Sequence, residues 1–236
     1  MEQLKYFLGP FELFASIIGG SPFIVAGFLL YNPVESLADL APIIQSSGTL
    51  AISLTFLFLS YIIGGTVQTL SWRYFLLLCH VFKQEYLYMD SQLRERDKKL
   101  QQAELGNASL LDFEDRLVLQ LQQKIGLPKK MRWINARLKA YLRENNSPSV
   151  TAAEMHTASH IMYRNLSLGC LILGFVSLIN TFRVSSLELL IVVPLFGYGA
   201  YLMFRRSVSF KKWQNRELLL GFYFAATKEI VARESD

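Results

Sequence analysis

Metal and disulfide chemistry have little to work with in this chain, whose 236 residues include 2 cysteines and 3 histidines. Cys79 and Cys170 form neither a disulfide framework nor a metal-ligand spacing. His156 and His160, in "EMHTASH", are four apart and share a helix face. The zinc-protease pattern needs a glutamate directly after the first histidine, and Thr157 stands there instead. No third or fourth ligand accompanies them. There is no glycine-rich phosphate loop, no G-x-S-x-G and no paired cysteines. The expectation is a chain with no catalytic residue, no metal and no cofactor.

Basic residues are missing too, but only locally. Lys and Arg are absent from Phe11–Tyr31, Ile43–Leu70, Leu166–Phe182 and Leu187–Phe204, in a chain that is 52% hydrophobic with a mean hydropathy of +0.27. A helix rises about 1.5 Å per residue, so about 20 residues cross a bilayer core roughly 30 Å thick. The second window spans easily, and the third and fourth do so with interfacial residues at their ends. A buried helical core is the plainer alternative, which four such windows disfavour. The first window is expected to be retained, because only Lys5 against Glu2 precedes it and no small-x-small cleavage site follows. Strand alternation, solenoid repeats and low-complexity tracts are absent. The chain reads as all-α, a polytopic membrane protein with four transmembrane helices and a cytosolic helical insert.

Charge sets the orientation. Of 24 Lys and Arg, 15 fall within 71–165 and 7 follow residue 204, whereas the connection "NPVESLADLAP" carries Glu35 and Asp39 and no base. Positive residues stay cytoplasmic, most strongly near membrane ends, where Arg73, Arg164, Arg205 and Arg206 sit. Both termini are therefore expected in the cytoplasm of a bacterial inner membrane. Both cysteines then lie on the cytosolic side, where free thiols are the rule. The expected division is a first helix pair over 1–70, the insert over 71–165, a second pair over 166–204 and a C-terminal helix over 205–236.

Within the insert, Phe75, Cys79, Phe82, Tyr86, Met89, Leu93, Leu100 and Ala103 follow a four-three spacing with only Arg96 out of pattern. This predicts one long helix running from the membrane to Gly106-Asn107, carrying either an oligomer contact or an intrachain seam. A helix over 109–125 should stop at Gly126 and Pro128, and "NNSPS" is a loop. Thr151-x-x-Glu154 has the form of a capping box and should open a helix into the third window. Leu218, Phe222, Ala226 and Ile230 continue helical periodicity towards the C-terminus.

Two glycine pairs interrupt apolar runs, in Ile17-Ile18-Gly19-Gly20-Ser21 and Ile62-Ile63-Gly64-Gly65-Thr66. Membrane helices associate by close packing that small residues permit. Gly19, Gly20, Gly64 and Gly65 are thus expected to face each other in an antiparallel pair, so that leucine at Gly64 and Gly65 lowers the melting temperature. Gly169 and Gly174 are further packing candidates. Pro22 should kink or break the first helix. Ser53 and Ser60 on the second helix and Ser177 on the third lie on small-residue stripes, which serve as helix–helix glue or line a conduit. No ionisable residue takes a mid-membrane position, which argues against secondary transport.

The stretch 129–143 is basic without a single acid. Lys129, Lys130, Arg132, Arg137, Lys139 and Arg143, with Trp133, form a candidate surface for lipid or a partner protein, each base contributing about 1 kcal/mol near anionic lipid. A solvated face is the plain alternative, and nucleic acid is the least favoured partner. In its arrangement of segments, and in "RNLSLGCLILG" followed by "YLMFRRSVSFKKW", the chain resembles small membrane proteins of bacterial anti-phage defence islands, such as the membrane subunit of the Kiwa system and the SLATT-type effectors. The leading expectation is a homo-oligomer in the lipid bilayer that acts as sensor or docking platform for a soluble cytosolic partner, with the Phe75–Ala103 seam and the basic 129–143 stretch carrying that contact. The alternative is an oligomeric pore-forming effector.

Overall fold

The computed structural model describes residues 10–33, 50–87, 93, 95–96, 112–126, 133–185 and 187–234. The described residues are all-helical, with no strand among them. In chain order the helices are α1 (Pro10–Tyr31), α2 (Leu50–Thr66), α3 (Gln68–Val81), α4 (Phe113–Lys124), α5 (Ile134–Glu144), α6 (Ser149–Val184) and α7 (Leu187–Glu234). Three of them, α1, α6 and α7, are long and apolar enough to cross a membrane. A fourth candidate arises if α2 and α3, bent by 54° at their junction, count as one span. The chain divides into two compact units, one of 1–84 and 158–210, the other of 85–157 and 211–236.

In the first unit α1 and α2 pack along each other and run antiparallel, since Ser16 meets Gly64 while Gly20 meets Ser60. A small core of Ala26, Leu29, Leu173, Val176 and Leu189 lies further along. The largest apolar side chains mostly point the other way. Phe14, Phe28, Phe58, Phe175, Ile191 and Leu195 are all exposed, at 41 to 68%. Of the kink or break expected at Pro22, the break does not occur, since the helix continues through it; the Pro22 ring packs on Gly169, where a Cβ would stand 2.7 Å away. At the C-terminus of α1, Asn180 donates to the Leu29 carbonyl at 2.8 Å and Arg183 to the Leu30 carbonyl at 2.8 Å. These are two of the carbonyls that every helix end leaves without an intrahelical donor.

The interruption falls in the second window instead, at Val67. The single long helix expected to run to Gly106-Asn107 is also overturned, because α3 ends at Val81. Lys83 takes a left-handed conformation (φ 49°), and the Gln84 amide returns to the Cys79 carbonyl at 2.8 Å, a terminating pattern that closes the last turn. Phe82 packs its ring on Tyr201 and Phe204 rather than extending a seam. Met89, Leu100, Ala103 and the Gly106-Asn107 stop lie outside the described residues.

The second unit is built the opposite way. Its core gathers Leu117, Val118 and Leu121 from α4, Ile134, Leu138 and Leu142 from α5, and Leu218, Leu219, Phe222 and Ala226 from α7, each no more than 1% exposed. Positions four apart share a helix face, so these sets form inward stripes. Gly126 (φ 67°) closes α4 in the left-handed conformation that glycine adopts without strain. Arg96, out of pattern as a seam residue, makes ion pairs with Glu114 and with Asp115 (2.9 Å) in the first turn of α4. The hydrogen bond to Asp115 raises the Arg96 guanidinium above its already high range. The expected capping box is not formed: α6 starts at Ser149, the Thr151 amide returns to the Pro148 carbonyl, and Glu154 accepts from Arg143 at 2.7 Å.

Candidate functional site

Three polar side chains of the first unit, Ser71, Arg164 and Asn165, meet at the α2–α3 bend. Asn165 on α6 donates its amide to the Gly64 carbonyl at 3.1 Å, and its own oxygen accepts from the Ser71 hydroxyl at 2.5 Å. Arg164, beside it, donates to Ser71 Oγ at 3.0 Å and to the Gln68 carbonyl at 3.2 Å, with its guanidinium 5.3 Å over the Trp72 ring. Carbonyls at a helix break need new donors when no water reaches them. Asn165 provides such a donor to Gly64 in the last turn of α2, and Arg164 ties the first turn of α3 to α6 across Val67. One turn before Arg164, His160 is 2% exposed. Its Nδ1 lies 2.8 Å from the Ser207 hydroxyl, and its ring edge meets Phe75 with centroids 4.9 Å apart.

Arg164 was expected at a membrane end as an orientation signal, like Arg73, Arg205 and Arg206. Those three are exposed, whereas Arg164 is buried at 7% and used as a staple across helices. The histidine pair separates likewise: His156 is half-buried with its ring beside Trp213, while His160 is held by Ser207. Among the described residues no group of three His, Cys, Asp or Glu stands together in a way that would hold a metal.

The glycine positions resolve individually. A Cβ on Gly20 would collide with the Ser60 carbonyl, and one on Gly64 with the Ser16 carbonyl, so these two set the α1–α2 crossing. Gly19 faces Asn165, where a Cβ would stand 2.8 Å from its Cβ. Gly174 faces Phe196, at 3.2 Å on the same measure. Gly65 is the correction: it is exposed, and a Cβ there would meet nothing within 4 Å. Successive helical residues point about 100° apart, so Gly64 and Gly65 cannot both face one partner.

The conduit candidates do not share a surface within the protomer. Ser53 is exposed, Ser60 is sealed against Gly20 with its hydroxyl unpartnered among the described residues, and Ser177 is buried. Ser167, on the same stripe of α6, donates to the Ala200 carbonyl at 2.7 Å, a bond between helices. In the basic stretch, Lys129, Lys130 and Arg132 lie outside the described residues. Trp133 is 57% exposed. Arg137 donates to the Ile125 and Gly126 carbonyls at 2.9 and 3.0 Å, Arg143 pairs with Glu154, and Lys139 is half-buried. Two of the described bases therefore tie the unit to itself.

Beside the bend lies a cleft of about 380 Å³ lined by Glu12 and Ser16 of α1, Tyr61, Ile62, Gly65 and Thr66 of α2, Gln68 of α3 and Ile161 of α6. Sequence reading missed it, along with the Arg164–Ser71–Asn165 staple. The only local signal was polarity in "GGTVQTLS" at the end of an apolar run. Compared with protein-family models, with curated proteins and with solved structures, the chain matches none.

Proposed function

We propose that this chain is a non-catalytic membrane protein that crosses the bacterial inner membrane four times, α2 and α3 forming one bent crossing, with both termini in the cytoplasm. The second unit is its cytosolic domain and docks a soluble protein. By its resemblance to defence-island membrane proteins, antiviral defence is the setting proposed for it, with the chain acting as a homo-oligomer.

The observation that carries this reading is the opposed placement of large apolar side chains. The first unit turns phenylalanine, isoleucine and leucine outward along α1, α2, α6 and α7, while the second folds them inward to 0 or 1% exposure. Apolar surface of that extent in water marks an interaction or membrane face. Lipid solvates it at no cost, because hydrocarbon tails are as apolar as leucine. On the second unit the large exposed residues are few, among them Trp133 and Phe224 at 57 and 66%. Exposed aromatics on an otherwise closed core are the anchors that protein interfaces favour.

Native mass measurement on the detergent-extracted complex tests this. A homo-oligomer carrying a stoichiometric soluble protein, lost on Trp133→Ala or Phe224→Ala, is the expected result. A bare closed ring that conducts in planar bilayers would instead favour the pore-forming alternative.

A further inference from the structure

We propose that the cleft between α1, α2 and α3 is a binding site for a primary ammonium group, the headgroup amine of an ethanolamine phospholipid. This rests on the membrane reading of the first unit. The antiparallel register that sets Gly20 against Ser60 and Ser16 against Gly64 brings Glu12 level with Gln68, and both line the cleft together with Tyr61 and Thr66. Glu12 is the only acid among the described side chains of this unit. A carboxylate, an amide oxygen and a phenol oxygen are three acceptors, which matches the three N–H donors of an alkylammonium. A quaternary choline group has no such donors to offer.

Gly65 is what leaves the space. It lines the cleft, is exposed, and has room where a side chain would project. Ile62, on the same wall, is exposed at 42%, so the cleft opens on the face turned to lipid rather than into the helix bundle. Glu12 lies in the first turn of α1, near the end of the helix, which in a membrane is the depth of headgroups.

The full chain, reconstituted in nanodiscs holding equal ethanolamine, choline and glycerol phospholipids, is released for native mass spectrometry and its retained lipids are counted. The expected result is an enrichment of ethanolamine over choline lipid of about tenfold. That enrichment is lost in Glu12→Gln, which removes the charge, and in Gly65→Leu, which fills the cleft without touching the helix crossing. Retained ethanolamine lipid that millimolar free ethanolamine displaces assigns the site to soluble amines as well, and undisplaced lipid assigns it to the headgroup. Equal retention of the three lipids, or an enrichment unchanged in Glu12→Gln, overturns the assignment and leaves the membrane reading standing. A chain that stays monodisperse without detergent and never enters nanodiscs overturns both.

Discussion

At the scale of single residues, two neighbours with the same side chain do unrelated things. Gly64 lets a backbone carbonyl of α1 come into contact, and Gly65 faces open space beside the cleft. Gly64→Ala or Gly20→Ala must push α1 and α2 apart, and overpacking of this kind costs about 1–3 kcal/mol. Gly65→Ala meets nothing and gains helix propensity of up to about 1 kcal/mol. Thermal melts of the detergent-purified protein should therefore fall for the first two variants and hold or rise for the third. A fall for Gly65→Ala equal to that for Gly64→Ala would mean that the crossing is wrongly placed. The paired glycines were legible in the sequence as packing residues, and helical geometry alone could have separated them. Arg164 was not legible in this way. Its bond to Ser71 joins residues 93 apart, and a basic residue next to an apolar window looks the same whether it reaches for water or turns inward.

At the scale of elements, the apolar windows foretold α1, α6 and the start of α7, and periodicity foretold the inward face of α7 through Leu218, Phe222 and Ala226. The bend at Val67 and the stop at Val81 escaped. A four-three spacing is satisfied equally by one long helix and by a shorter one whose later residues pack elsewhere, as Phe82 does on Tyr201 and Phe204. The basic stretch was read as a recognition face, yet Arg137 closes the end of α4 by holding two carbonyls. Arg137→Ala should cost about 1 kcal/mol, since bonds to a charged donor that is partly solvated are modest. Hydrogen exchange at the last turn of α4 should quicken, with α1 and α2 unchanged. Exchange unaltered at α4 would show that water replaces the guanidinium without loss.

At the scale of the whole molecule, the proposed reading has the hydrophobic residues of the two units answer to different solvents. Photoactivatable phospholipid should label the chain at Phe14, Phe28, Phe58 and Ile191, all exposed, and leave Leu117, Leu138 and Phe222 untouched. Labelling spread over both sets would contradict the assignment of one unit to lipid and the other to water. Composition made this contrast visible in outline, because the windows without Lys or Arg fall in the first unit and most of the bases outside it. Which side of each helix is exposed needed the packing.

The end of α1 also has a history in time. Its Leu29 and Leu30 carbonyls are held by Asn180 and Arg183, which lie 151 and 153 residues further along the chain. At a synthesis rate of about 5–20 residues per second, α1 waits for about 8–30 s before the donors that finish it leave the ribosome. During that interval the C-terminal end of α1 depends on water or on other proteins for hydrogen bonds. Chains stalled before residue 180 should therefore hold α1 less securely than completed ones, so the last step of assembling the first helix belongs to the second half of the protein.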